Sequence, residues 1–326
     1  MRERGLFLTC VAVLLFTGVF WTGLVSAAPY PEKPLEIICP YAPGSTTDIL
    51  LRVITDVGSK YFGQPMVVVN KPGAGGALAA ADVISSKPDG YKVFWGAHVF
   101  FATTTKTQKV PFDPDDLAPL ANFVELKMGM VVKGDSSFKN FDDLLNYARK
   151  AQGQFKWAHV GRGIGLHMSG MVIFRKAGIA TIDVPYKGTA EALVALLGGH
   201  VDAASLAYGA MSEQVAAGKA RYLMFYTDKR FKDHPDVPTA VELGFPNAVL
   251  PAFFGLYVRR DTPEPIRKVL AETCKKITED PETRKGIERV GEAPRFGGPE
   301  FVREEIRKQE AVGIPILKEL GLYVGK

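Results

Sequence analysis

Short apolar runs rich in β-branched and aromatic residues alternate along this chain with longer stretches in which apolar and polar residues recur at helical spacing. The first runs are Leu35 to Cys39, Met66 to Val69 and Lys92 to Trp95, and the stretches between them predict helices from Asp48 to about Tyr61 and from Gly76 to Ser86. That β-α-β-α-β order predicts a parallel sheet covered by helices on both faces, with ligands at the carboxyl ends of the strands. The alternation then starts again, with strands at Gly129 to Val132, Lys156 to His159, Ile182 to Val184 and Ala203 to Ala207. Helices are predicted between them at Phe141 to Gln152, Leu166 to Ala177 and Thr189 to Leu197. Leu117 to Met130 carries the chain into this second unit, and Phe253 to Val258 predicts a strand returning it to the first. A C-terminal helical region completes the first unit, with Thr262-Pro263 as a helix start and an amphipathic helix from Pro299 to about Val312. The expected architecture is α/β with two lobes, 28–127 plus 253–326 and 128–252. Each is a mostly parallel sheet flanked by helices, and the two crossings between them make a hinge.

One apolar stretch, Leu6 to Val25, approaches membrane-spanning length. Arg2 and Arg4 precede it and the small residues Ser26-Ala27-Ala28 follow, which predicts a secretory signal peptide over 1–27; a membrane anchor is the alternative reading. Cys10 is followed by Val11, unlike a lipoprotein cleavage site. Cleavage leaves about 300 residues, the size of two ordinary domains. The net charge of +5 is spread without basic runs, so nucleic acid is not an expected partner, and the balance favours an anionic small molecule only weakly. With Cys10 in the leader, Cys39 falls in a buried strand and Cys274 on a helix, where packing is expected rather than a disulfide.

Two segments carry the candidate chemistry: Pro40-Tyr41-Ala42-Pro43-Gly44-Ser45-Thr46-Thr47-Asp48 and Val184-Pro185-Tyr186-Lys187-Gly188-Thr189. Each reads as strand, Gly-containing turn and helix start, which points backbone N–H groups and the positive end of a helix dipole at one spot, suiting a carboxylate. Gly161, Gly163 and Gly165 precede another helix; Gly-Arg-Gly-Ile-Gly-Leu-His departs from a dinucleotide fingerprint and reads as a turn that lets a ligand approach backbone amides. Asn70 to Gly76 lacks the ending of a phosphate loop and either lines the cleft or packs as a connection. Asp48, in a first helical turn, fits a capping carboxylate better than a general base. Lys187 is either a partner for a ligand carboxylate or a solvated turn residue, and His167 supports its loop by hydrogen bonds. Asp202 either orders water near the cleft or is an ordinary turn carboxylate. Of the aromatic residues Tyr41, Trp95, Phe254 and Tyr257, Tyr41 alone lies in a candidate ligand turn. No Gly-x-Ser-x-Gly motif is present, and no pair among the five histidines has the short spacing of a zinc site, so neither a nucleophilic hydrolase nor a metal centre is expected.

At Tyr30-Pro31-Glu32-Lys33-Pro34, Pro40 to Asp48, Val69 to Gly76, Lys87-Pro88-Asp89-Gly90-Tyr91, Val184 to Gly188, and Asp236-Val237-Pro238-Thr239 with Glu242 and Gly244, the chain resembles the extracytoplasmic receptors of tripartite tricarboxylate transporters, the Bug or TctC family. The resemblance runs over nearly the full length. It implies a two-lobed, type 2 periplasmic binding-protein fold that closes on a small organic acid and delivers it to membrane permease subunits, as a monomer, without catalysis or a cofactor. It also implies that the turn at Tyr41 to Asp48 and the loop at Gly161 to Gly165 hold one carboxylate, with ordered water assisting. The resulting candidate ligand-binding set is Tyr41, Ala42, Gly44, Ser45, Thr46, Asp48, Ala97, His98, Gly163, Ile164, Gly165, Tyr186, Lys187, Gly188, Thr189 and Asp202. Two departures from the family pattern matter: Ser45 stands where a second Gly is usual, and Ile164 where a Ser or Thr is usual. The second removes a hydroxyl and adds apolar surface, so the expected ligand has at least one carboxylate and an apolar or aromatic body. A secreted α/β enzyme using Asp48 or Asp202, and a receptor reporting to a signalling partner, are the alternative readings.

Overall fold

The structure, a computed structural model, describes residues 30–186 and 188–324. The expected leader at 1–27 and the candidate Lys187 lie outside the described residues. In the first unit β1 (Leu35–Cys39), α1 (Thr46–Phe62), β2 (Met66–Asn70), α2 (Ala77–Ile84), β3 (Lys92–Ala97) and the short α3 (His98–Ala102) follow in order, and β4 (Leu117–Leu126) leads out. The second unit holds β5 (Met128–Lys133), α4 (Phe141–Lys150), β6 (Lys156–His159), α5 (Gly165–Lys176), β7 (Ile182–Pro185), α6 (Thr189–Leu197), β8 (Ala203–Ala207), α7 (Ser212–Ala216) and β9 (Ala220–Phe225). The chain returns along β10 (Ala252–Arg259) and ends with α8 (Glu264–Glu279), α9 (Pro281–Arg289), β11 (Ala293–Gly297) and α10 (Pro299–Glu319).

Two sheets result, ordered β11-β4-β10-β3-β1-β2 and β7-β6-β8-β5-β9. Both are mixed, where a mostly parallel pairing was expected. β1 lies parallel to β2 and β3, and β6 parallel to β7 and β8, as the βαβ pattern requires. The strands at the crossings run the other way. The chain leaves the first sheet along β4 and re-enters along β10, and these two pair antiparallel from Ala252↔Leu126 to Arg259↔Leu117. No crossover helix links them, so nothing holds them parallel.

Several family-like segments are structural fastenings. The Tyr30 hydroxyl donates to the Gly90 carbonyl at 2.6 Å, and Asp89 accepts from the Tyr91 amide at 3.2 Å across a turn in which Gly90 has φ +79°. Thr239 and Glu242 bond reciprocally, backbone to side chain, at 2.8 and 3.1 Å, starting the ordered turn that leads to β10. Cys39 and Cys274 are buried and unpaired, packed in the core as expected.

Candidate ligand-binding site

The first turn of α1 is built around Asp48. Its carboxylate accepts the Gly44 amide at 2.9 Å, Arg52 Nε at 3.0 Å and Nη2 at 3.2 Å, and Asn70 Nδ2 at 2.8 Å, while the same Asn70 amide group donates to the Tyr41 carbonyl at 2.9 Å. Burial alone would raise its pKa, but the bonds from Arg52, Asn70 and Gly44 outweigh that and hold it below the usual carboxylate range. Every oxygen of Asp48 is thus occupied in fixing the turn, which is capping rather than acid–base chemistry. Gly44, at φ +78°, supplies the left-handed step that brings its N–H round to Asp48. Ser45 is the N-cap, and its hydroxyl accepts the Asp48 amide at 3.3 Å. That leaves the amides of Thr46 and Thr47, the first two helical residues, without an intrahelical partner and at the positive end of a 17-residue helix. Tyr41, partly exposed, packs its ring at 5.8 Å from Phe254, and Ala42 is exposed beside it.

The second unit presents the loop Gly161 to Gly165. Ile164 is the N-cap of α5 and has no side-chain capping bond, so this helix too starts with unanswered amides. Gly161 and Gly163 have φ +144° and +78°. The loop is held from beneath: Gly163 donates its amide to His167 Nδ1 at 3.1 Å, His159 meets Gly161 through Nδ1 and Asp183 through Nε2 at 3.2 Å, and Arg162 Nε reaches Asp183 at 2.8 Å. The ring of His167 stacks on Trp157 with planes 7° apart. His167 supports the loop in the manner its position at the helix start suggested. His159, His167 and Asp183 bring one ligand atom each within 4.8 Å of one another, a grouping that sequence spacing did not announce. Its chemistry is that of a hydrogen-bond hub: an amide occupies His167 Nδ1, so the neutral ring carries its proton on Nε2, and a guanidinium fork occupies Asp183.

The two units touch at these turns. A β-carbon built on Gly163 would stand 2.4 Å from Thr107 Cγ2 of the first unit, and one built on Gly209, in the turn after β8, 3.0 Å from Thr46 Cγ2. The α1 start and the α5 start therefore both border the junction. Gly188, N-cap of α6, is extended and also uncapped, and with Tyr186 and Thr189 it follows β7, the edge strand beside β6.

Of the remaining candidates Asp202 stands elsewhere, whereas Ala97 and His98 end β3 at the same carboxyl edge of the sheet as the turn that follows β1. Asp202 pairs with Lys156, the first residue of β6, accepting its amide at 2.8 Å; this is the amino end of the strands, opposite the Gly161 loop. His98 is 1% exposed and turned inward: Nδ1 accepts the Phe253 amide at 3.1 Å, and Nε2 is buried without a hydrogen-bond partner among the described residues. Ala97, buried on β3, is paired with Phe254. Conversely, Thr107 and Gly209 border the junction and Asp183 supports the Gly161 loop without having been among the candidates, because only long-range packing brings them there.

Residues 50–322 of the sequence match the family model described as tripartite tricarboxylate transporter family receptor. A protein encoded in the gbd 5′ region of Cupriavidus necator is 33% identical over 301 residues, covering 91% of this chain and 90% of that one. Among solved structures, Rpa4515 of R. palustris with adipate is similar with a TM-score of 0.82 at 26% identity, covering 90% of this chain and 98% of that one. MatC of Rhodopseudomonas palustris with bound malate has a TM-score of 0.74 at 29% identity, covering 87% and 100%. The architecture is that of solute-binding proteins of this kind, which are receptors rather than enzymes.

Proposed function

The chain belongs to the tripartite tricarboxylate transporter receptor family, and on that premise we propose that it captures a small carboxylate between two lobes, 28–127 plus 253–326 and 128–252, and delivers it to the membrane subunits of a transporter. The observation that carries this reading is the pair of helix starts, α1 from one unit and α5 from the other, bordering one junction with unanswered amides. The carboxylate sits on the amides of Thr46 and Thr47, with Gly163 to Gly165 closing from the other side and Tyr186 to Thr189 bordering the ligand's body. Closure buries the ligand and forms the surface the membrane subunits read. The protein acts as a periplasmic monomer after removal of its leader.

Adipate and malate are the ligands of two structural neighbours, which supports an aliphatic acid as the class. Ile164 narrows that class toward acids with an apolar or aromatic body, since it puts a hydrocarbon chain where a hydroxyl would reward a polar one. Mass spectrometry of ligand released from protein purified under mild conditions tests the reading. An intact carboxylic acid of this type supports it, and a chemically altered product, or citrate-like acids alone, contradicts it.

A further inference from the structure

Glu292 lies just before β11, in the first unit, and is 1% exposed. One of its oxygens is spent on the crossing and the other on the second unit. Oε2 accepts the amide of Lys127 at 2.7 Å, the single residue between β4 and β5, and Oε1 accepts the amide of Gly209 at 2.7 Å, in the turn after β8. The same turn is tied to the crossing a second time, because Tyr208 donates its amide to the Lys127 carbonyl at 2.7 Å. Gly209 has no room for a side chain: a β-carbon there would stand 2.7 Å from Glu292 Oε1, 2.8 Å from the Val290 carbonyl and 3.0 Å from Thr46 Cγ2. One face of this glycine is therefore against the carboxylate and another against the first turn of α1.

We propose that Glu292 is the positioning residue of the junction, a clasp from the first unit that fixes the crossing at Lys127 and seats the Gly209 turn against the α1 start. Its consequence for ligand capture rests on the two-lobe reading above; its geometry does not. A buried carboxylate is costly to keep without full hydrogen bonding, so a role in filling space alone would be served better by an apolar side chain. The Lys127 ammonium attracts it through space but is itself ion-paired with Asp233 at 2.5 Å and lies over the rings of Tyr208 and Phe231. The charged and titratable groups around Glu292 are Lys127, Asp233, Tyr208 and Tyr222. Burial pushes the Glu292 carboxyl up to about 7, against the pull of its two amide bonds. Its protonation exchanges a carboxylate with two strong acceptors for an acid with one, and so loosens the clasp.

The test is the interlobe distance distribution of the full chain without ligand, from spin labels on Lys150→Cys of α4 and Lys268→Cys of α8, the native Cys39 and Cys274 being buried. Glu292→Ala and Glu292→Gln are expected to broaden the distribution and to weaken binding of the best carboxylate by about 10- to 100-fold, the scale of one or two buried bonds to a charged acceptor. Gly209→Ala, which leaves Glu292 in place, should broaden it as well by wedging the contact. The wild-type distribution should widen as pH falls from 8 to 6, and that response should vanish in Glu292→Gln. A folded variant with the wild-type distribution, or an equal pH response in Glu292→Gln, overturns the proposal. Should no carboxylate bind the wild-type protein, the distance result still stands or falls by itself.

Discussion

Gly163 lies against the methyl group of Thr107 across the junction, so close that a β-carbon on the glycine would come within 2.4 Å of it. Gly163 is also at φ +78°, where an L side chain is strained. Gly163→Ala should therefore cost about 1–3 kcal/mol of stability and most of the ligand affinity. Thr107→Ser in the same chain should recover part of the affinity but not the backbone strain. Urea unfolding and titration calorimetry on the single and double variants measure the two effects separately.

Asp48→Ala should weaken binding by releasing the Gly44 turn, and should cost about 2–4 kcal/mol because Arg52, Asn70 and the Gly44 amide lose their shared acceptor. The folded pKa of Asp48 lies below its unfolded one, so its contribution is present above the unfolded value and is lost as pH falls through the folded value. The acid limb of the stability curve should consequently flatten in Asp48→Asn. A folded Asp48→Ala with unchanged affinity would show that carboxylate to be dispensable.

The helix starts were legible from the sequence because each is strand, Gly turn and helix in a few neighbouring residues. β1, β6, β8 and α6 follow the apolar runs to the residue. What was not legible depends on long-range pairing. The antiparallel return of β10 beside β3 buries His98, and the register Trp157↔Asp183 on β6 and β7 places Asp183 under the Gly161 loop. β9 was not among the expected strands although Tyr222 to Phe225 is a continuous apolar run. α10 was expected to stop near Val312, before Gly313 and Pro315. It continues to Glu319 because packing of the fully buried Leu317 and the Arg175–Glu319 ion pair at 2.8 Å offset the bond that the proline cannot make.

Acid should loosen the second-unit loop through His167. Burial pushes this imidazole down to about 4, and its Nδ1 accepts the Gly163 amide, a bond that protonation abolishes. The unfolded chain takes up the proton first, so the stability contributed by the neutral ring is full above about pH 6.5 and falls as pH drops toward 4. Between pH 7 and 4.5 the loss should be about 1–3 kcal/mol. Chemical unfolding across this range checks it, and His167→Gln should show a shallower pH dependence than the wild type.

Ile164→Thr restores a hydroxyl at the N-cap of α5. It should stabilise the helix by up to about 1 kcal/mol and shift preference from acids with apolar bodies toward hydroxylated ones. Competition between the two ligand types on wild type and variant reads the shift. An unchanged ranking would remove Ile164 from the specificity argument.

The most direct test of carboxylate capture is a thermal-shift panel of aliphatic and aromatic mono-, di- and tricarboxylates on the purified protein, since a compound that binds only the folded state raises Tm. The account predicts a clear rise with an acid bearing an apolar body, a smaller one with citrate, and recovery of the acid unchanged. No rise across the panel, or consumption of the acid, would contradict it.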